Sequence, residues 1–99
     1  MNQRYLEVTY RKGKPLAAYL YLPRVAGDTS VHTERPAPGL VIDYSADRRP
    51  IGIEITAPGK VTLAGLNQVL VSVGQNPATA DELAPVLAGR LGTAAPVNE

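Results

Sequence analysis

The chain has no cysteine, no tryptophan and no phenylalanine, and among its 99 residues there is one histidine and one methionine. Without cysteine there are no disulfides, no thiolate nucleophile and no Cys-based zinc or iron–sulfur site. The single histidine, His32, has only scattered carboxylates to join it, a poor basis for a metal centre. No apolar run reaches the length of a membrane span, and Met1-Asn2-Gln3-Arg4-Tyr5 is not followed by a signal-peptide core. The expectation is a cytoplasmic protein with no membrane partner. A strong charge of one sign is also missing: the net charge is +1 and the pI about 8.1, which argues against nucleic acid as an obligatory partner.

What is present is a set of alternating apolar runs. Leu40, Ile42 and Tyr44 alternate with Val41 and Asp43, and Ile51, Ile53 and Ile55 alternate with Gly52 and Glu54. Period two predicts two strands, and the short polar link Ser45 to Pro50 joins them as an antiparallel hairpin. Pairing Tyr44 with Ile51, Ile42 with Ile53 and Leu40 with Ile55 places six large apolar side chains on one face. A one-residue slip would mix the faces, so the register is well specified.

A first hairpin precedes it. Leu6, Val8 and Tyr10 lead through Arg11-Lys12-Gly13-Lys14-Pro15 to Leu16, Ala18, Leu20 and Leu22. Setting Tyr10 opposite Leu16 puts Val8 against Ala18 and Leu6 against Leu20. The opposite face then carries Thr9 against Ala17, Glu7 against Tyr19, and Tyr5 against Tyr21. Tyrosine is the only aromatic type, and four of the five lie in the first 21 residues. A face carrying Tyr5, Tyr19 and Tyr21 is amphipathic and suits an interface better than open water.

Residues 23 to 38 are irregular, with one short edge strand expected near Ser30 to Arg35. Val61 to Gly74 fits both a helix and an alternating strand. Thr62 as N-cap and Gly74 just past the end favour the helix, and Gly65 within it suggests a close approach to the sheet. Thr79-Ala80-Asp81-Glu82 is a capping box for a second helix with Leu83, Val86, Leu87 and Leu91 on its apolar side; Pro85 should kink or restart it. Strands first and helices last predict an α+β fold, an antiparallel sheet of four or five strands with one or two C-terminal helices on one face. The domain runs over residues 1–91, with 92–99 as a disordered tail.

The run V-I-D-Y-x-x-D-x-x-x-I-G-I-E-I, preceded by A-A-Y-L-Y-L and followed by P-G-K-V-T-L, resembles the small bacterial family catalogued as domain of unknown function 2283. The likeness covers residues 5 to 73 or so and is clearest over Gly39 to Ile55, above all in Ile51-Gly52-Ile53-Glu54-Ile55 with Asp47 upstream. Family members often carry Asp-Gly in the turn, where this chain has Arg48; if the position needs a positive φ, Arg48 is mildly strained. The resemblance implies a fold and no activity.

Three groups of residues are candidates for function. Asp43 and Glu54 share a face of the central hairpin as diagonal neighbours within about 7–8 Å, a spacing at which two carboxylates can divide acid and base roles. Solvated or hydrogen-bonded carboxylates on the exposed side of the sheet, or carboxylates paired with Arg35, Arg48 or Arg49, are the plainer alternative. Arg11, Lys12 and Lys14 at a hairpin tip, with Arg4 and Arg24 nearby, are candidate phosphate contacts, although short basic turns mostly aid solubility. Tyr5, Tyr19 and Tyr21 are candidate interface residues, with a second copy of the chain as the simplest cover. No cofactor motif and no assembled nucleophile is present. The leading expectation is a non-enzymatic homo-oligomer or protein-interaction module, with a small-molecule-binding module or an antitoxin-like nucleic-acid-associated regulator as alternatives.

Overall fold

A computed structural model of the chain describes residues 3–87. Five strands, β1 (Tyr5–Arg11), β2 (Lys14–Tyr21), β3 (His32–Ala37), β4 (Leu40–Tyr44) and β5 (Pro50–Ile55), form one antiparallel sheet in the order β1-β2-β5-β4-β3. A 3-10 turn (Pro58–Lys60) leads to helix α1 (Leu63–Ser72), and a second helix, α2, is described over Ala84–Leu87. The α+β architecture is the expected one. Leu91 and the 92–99 segment lie outside the described residues.

One face of the sheet makes the core. Leu20, Leu22, Leu40, Ile42, Ile53 and Ile55 pack with Val61, Leu66, Val69 and Leu70, and with Leu83, Val86 and Leu87 from the second helical segment. Each such side chain, taken fully out of water, contributes roughly 1.5–3 kcal/mol. Burial of the isoleucine face under the helices therefore sets which way up the sheet lies.

The registers follow the alternation except where turns intervene. Leu40 faces Ile55 and Ile42 faces Ile53 as expected, but an irregularity after Asp43 sets Tyr44 against Pro50, not Ile51. In the first hairpin, five pairs from Tyr5–Tyr21 to Thr9–Ala17 match the expected register, whereas Tyr10 faces Pro15 in place of Leu16. The cause is the turn: Lys12 and Gly13 both have positive φ, 53° and 79°, as the two-residue hairpin loop that matches strand twist requires. Leu16 is left as the extra residue of the bulge. Arg48 does adopt a positive φ, 67°, with its N–H donating to the Ser45 carbonyl. It occupies a position that glycine takes without strain.

Helix α1 starts where expected, with Thr62 Oγ1 accepting the Gly65 N–H at 3.0 Å. It ends with Gly74 at φ 83°, where Gln75 N donates to Leu70 O and Gly74 N to Val71 O, the bond pair of a Schellman motif. Gly65 does not approach the sheet; a Cβ there would meet the Thr62 hydroxyl. Thr79 Oγ1 accepts the Glu82 N–H, yet helical geometry begins only at Ala84. Pro85 thereby falls in the first turn, where its missing N–H costs nothing. The edge strand starts at His32, two residues later than expected, and extends through Pro36.

Candidate functional site

The sheet face opposite the helices holds the candidate residues. Strand pairing aligns Glu7, Tyr19, Glu54 and Val41 in one row, and Tyr5, Tyr21, Gly52, Asp43 and Thr33 in the next. Gly52 leaves a gap in the second row, and the Tyr19 ring leans into it. A Cβ on Gly52 would lie 1.9 Å from the Tyr19 hydroxyl oxygen, so any larger residue here would displace this ring. Through that gap Tyr19 Oη donates a 2.8 Å hydrogen bond to Asp43 Oδ2.

Asp43 is not a solvated carboxylate: it is only 5 % exposed, and the Tyr19 bond helps meet the need of a buried acceptor for a donor. Burial, reinforced by Asp43, raises the Tyr19 phenol to about 12. Tyr19 therefore remains a neutral donor at ordinary pH. Arg24 lies alongside, with one guanidinium nitrogen donating to Tyr19 Oη at 3.4 Å and to the Ile51 carbonyl.

Glu54 is diagonal to Asp43, as expected from the register. Its carboxyl is raised above the usual range first by burial, then by the charge of Asp43 and a hydrogen bond with it, while Arg35 pulls the other way. Of the three arginines weighed as partners, Arg35 alone acts here. Arg49 instead forms a bidentate pair with Asp28 at 2.7 and 3.0 Å and reaches Asp47 at 2.8 Å. These bonds fasten the loop after β2 to the turn between β4 and β5, and the guanidinium holds Asp47 down to about 2.

The three candidate interface tyrosines do come together. Tyr5 and Tyr21 stack with centroids 4.4 Å apart, Tyr19 meets Tyr21 edge-on at 4.6 Å, and the Arg24 guanidinium sits 5.1 Å from the Tyr21 ring centre. Tyr21 Oη donates to Glu7 at 3.0 Å. Arginine over a tyrosine face is a favourable cation–π placement. Tyr5, at the outer end of the stack, is 48 % exposed.

The basic cluster is dispersed. Arg11, Lys12 and Lys14 remain together and exposed at the β1–β2 turn, but Arg4 precedes β1 and Arg24 follows β2, at the opposite end of these strands. Arg4 is committed to Glu82 through two 3.0 Å bonds, which tie the start of β1 to the second helical segment. His32 is exposed beside Glu34 and Tyr44. Among the described residues no three His, Cys, Asp or Glu side chains gather as a metal site would require. No helix among them is long and apolar enough to cross a membrane.

Sequence reasoning missed Arg24 as a member of the face and the gap at Gly52 as the reason Tyr19 reaches Asp43. A glycine inside a strand is the signal for the second, because it marks a close approach. Nothing in the irregular stretch after Leu22 marks Arg24. No curated protein and no solved structure matches the chain. Residues 17–57, which contain Tyr19, Tyr21, Arg24, Asp43, Gly52 and Glu54, match the family described as Protein of unknown function (DUF2283), the family the chain resembles in its central hairpin.

Proposed function

We propose that the protein is a non-enzymatic interaction module, that the tyrosine face of its sheet is the docking surface, and that a second copy of the chain is its occupant. The observation that supports this reading is the Tyr5–Tyr21–Tyr19 stack with Arg24 over it, on the side of the sheet that the helices leave uncovered. Aromatic rings and arginine are the residue types that carry binding energy at interfaces. The face also holds both signs of charge, Arg24 and Arg35 with Glu7, Asp43 and Glu54. A two-fold contact sets one patch against itself and so needs both signs within that patch.

Native mass spectrometry of the wild-type chain and of Tyr21→Ser tests this. Tyr21 is the right position because it touches every other member of the stack, while Tyr19 must stay to bond Asp43. The expected result is a whole multiple of the chain mass for the wild type and a smaller multiple for Tyr21→Ser, with the circular dichroism of the fold retained. A single-chain mass for the wild type at micromolar concentration, or an unchanged multiple in the variant, contradicts the proposal.

One observation favours a small-molecule module as the second reading: a hollow of about 240 Å³ lies against Tyr19 and Glu54, walled by Glu7, Thr9 and Thr56. It is smaller than the roughly 300–1,000 Å³ usual for ligand pockets. A thermal-shift screen separates the two readings, since a ligand at 100 times its Kd adds about 2.7 kcal/mol.

A further inference from the structure

The two edges of the sheet are unlike. Strand β3 carries Pro36, an irregularity between Glu34 and Ala37, and the charged pair Glu34 and Arg35, devices that discourage another strand from adding. Strand β1 has no proline and no adjacent charged pair; its charges, Glu7 and Arg11, are four residues apart. It is seven residues long, and the extra residue of its bulge belongs to β2, which leaves β1 itself unbroken. Among the described residues no strand pairs with its outer side. Two of its tyrosines are open to solvent, Tyr5 at 48 % and Tyr10 at 54 %.

We propose that β1 is a pairing edge and that the β1 strand of a second copy occupies it, antiparallel and centred on Val8. The register follows from the sequence Tyr5-Leu6-Glu7-Val8-Thr9-Tyr10-Arg11. To keep both cores on one side, the two-fold axis must stand perpendicular to the sheet, and it then passes beside a single residue that pairs with itself. Centring on Glu7 sets two carboxylates opposite each other, which is destabilising. Centring on Thr9 pairs Glu7 with Arg11 but carries Tyr5 and Leu6 past the partner strand. Centring on Val8 uses all seven residues. Val8 meets Val8, Leu6 meets Tyr10 on the core side, and on the tyrosine side Glu7 meets Thr9 with Arg11 and Glu7 of the second copy on its two diagonals, so the carboxylates are no longer directly opposed, while Tyr5 meets Arg11 as ring and cation. Leu6 and Val8 already pack against the core, so the pairing extends that core across the junction and covers Tyr10. The contact is independent of the tyrosine face, because edge pairing sets the two faces side by side and leaves both open.

The absence of cysteine makes the test clean, since one introduced thiol reports alone. In the proposed register the two position-8 Cα atoms lie about 4.5–5.5 Å apart, within disulfide reach. Under mild oxidation Val8→Cys is expected to form a covalent dimer. Leu16→Cys, more exposed than Val8 but on β2 and away from the axis, is expected to form no covalent dimer. Dimer from Val8→Cys at no more than the Leu16→Cys background overturns the proposal. Tyr10→Lys provides a readout that does not depend on Val8→Cys folding, because Tyr10 is a surface residue. Measured by sedimentation in a Tyr21→Ser background, where the face contact is removed, it is expected to weaken the remaining dimer by roughly tenfold, the equivalent of 1.4 kcal/mol. An unchanged dimerisation constant, or no dimer in the Tyr21→Ser background, overturns it. Failure of the tyrosine-face reading leaves both edge readouts intact.

Discussion

The two faces of the sheet are built on different physics. The helix side is a set of aliphatic side chains whose contribution scales with area removed from water, so any well-packed residue of similar size serves. The other side is held by directed contacts: a phenol aimed at a buried carboxylate through a gap that only glycine provides, and an arginine laid on a tyrosine ring. The first kind of face tolerates substitution by volume, whereas the second fails when one atom is added or removed.

The largest expected effect lies on the aliphatic side. Ile53→Ala, at a fully buried core position, should lower unfolding free energy by about 2–5 kcal/mol in urea titrations while leaving the tyrosine contacts recognisable by near-ultraviolet dichroism. On the other face, Gly52→Ala adds one methyl group where Tyr19 sits and should cost about 1–3 kcal/mol through overpacking. Tyr19→Phe should cost about 1–3 kcal/mol as well, because buried Asp43 loses a donor. Tyr21→Phe, whose hydroxyl bonds exposed Glu7, should leave equilibrium unfolding unchanged. Equal effects of Tyr19→Phe and Tyr21→Phe would erase the distinction between a buried directed bond and a surface one. Arg48→Gly should run the other way and stabilise the chain by about 0.5–1 kcal/mol, since glycine takes the positive φ without the penalty an arginine bears.

The smallest effect is in the pH dependence, and it separates Glu54 from Asp47. Glu54 binds its proton more tightly in the folded chain than its ordinary value of 4.5, so the folded state holds more protons there and stability falls as pH rises above that value. Glu54→Gln should therefore be more stable than wild type near neutrality and equal to it in acid, where Glu54 is protonated. Asp47 and Asp28 are shifted the opposite way, Asp47 from 3.8 to about 2. Their contribution is present above pH 3.8 and is lost as pH falls toward 2. Urea unfolding followed from neutral to acid pH should then show a shallow rise before the acid loss, with the rise absent in Glu54→Gln.

The aliphatic face was the more legible in sequence, because alternation of Leu40, Ile42, Ile53 and Ile55 is a period-two signal that burial enforces. Five pairs of the first hairpin and the diagonal of Asp43 and Glu54 follow from the same alternation. What alternation does not contain is turn geometry: the positive φ of Lys12 moved Tyr10 onto Pro15, and the turn around Arg48 moved Tyr44 onto Pro50. The directed face was legible only in part. Its tyrosines could be placed on one side by parity, but the burial of Asp43 depends on how Tyr19 leans across Gly52, and Arg24 enters from an irregular segment with no period to read. The long-range clamps of Arg4 on Glu82 and Arg49 on Asp28 join residues far apart in sequence, and no local pattern announces such pairs.

The most direct test of the docking surface is hydroxyl-radical footprinting of the tyrosines across a range of protein concentration. Tyr21 lies on the proposed contact, whereas Tyr44 packs against the helix-side core and serves as the internal reference. If a second copy covers the tyrosine face, labelling of Tyr21 falls as concentration rises while labelling of Tyr44 stays constant. Labelling of Tyr21 that is independent of concentration up to the highest soluble level would contradict it.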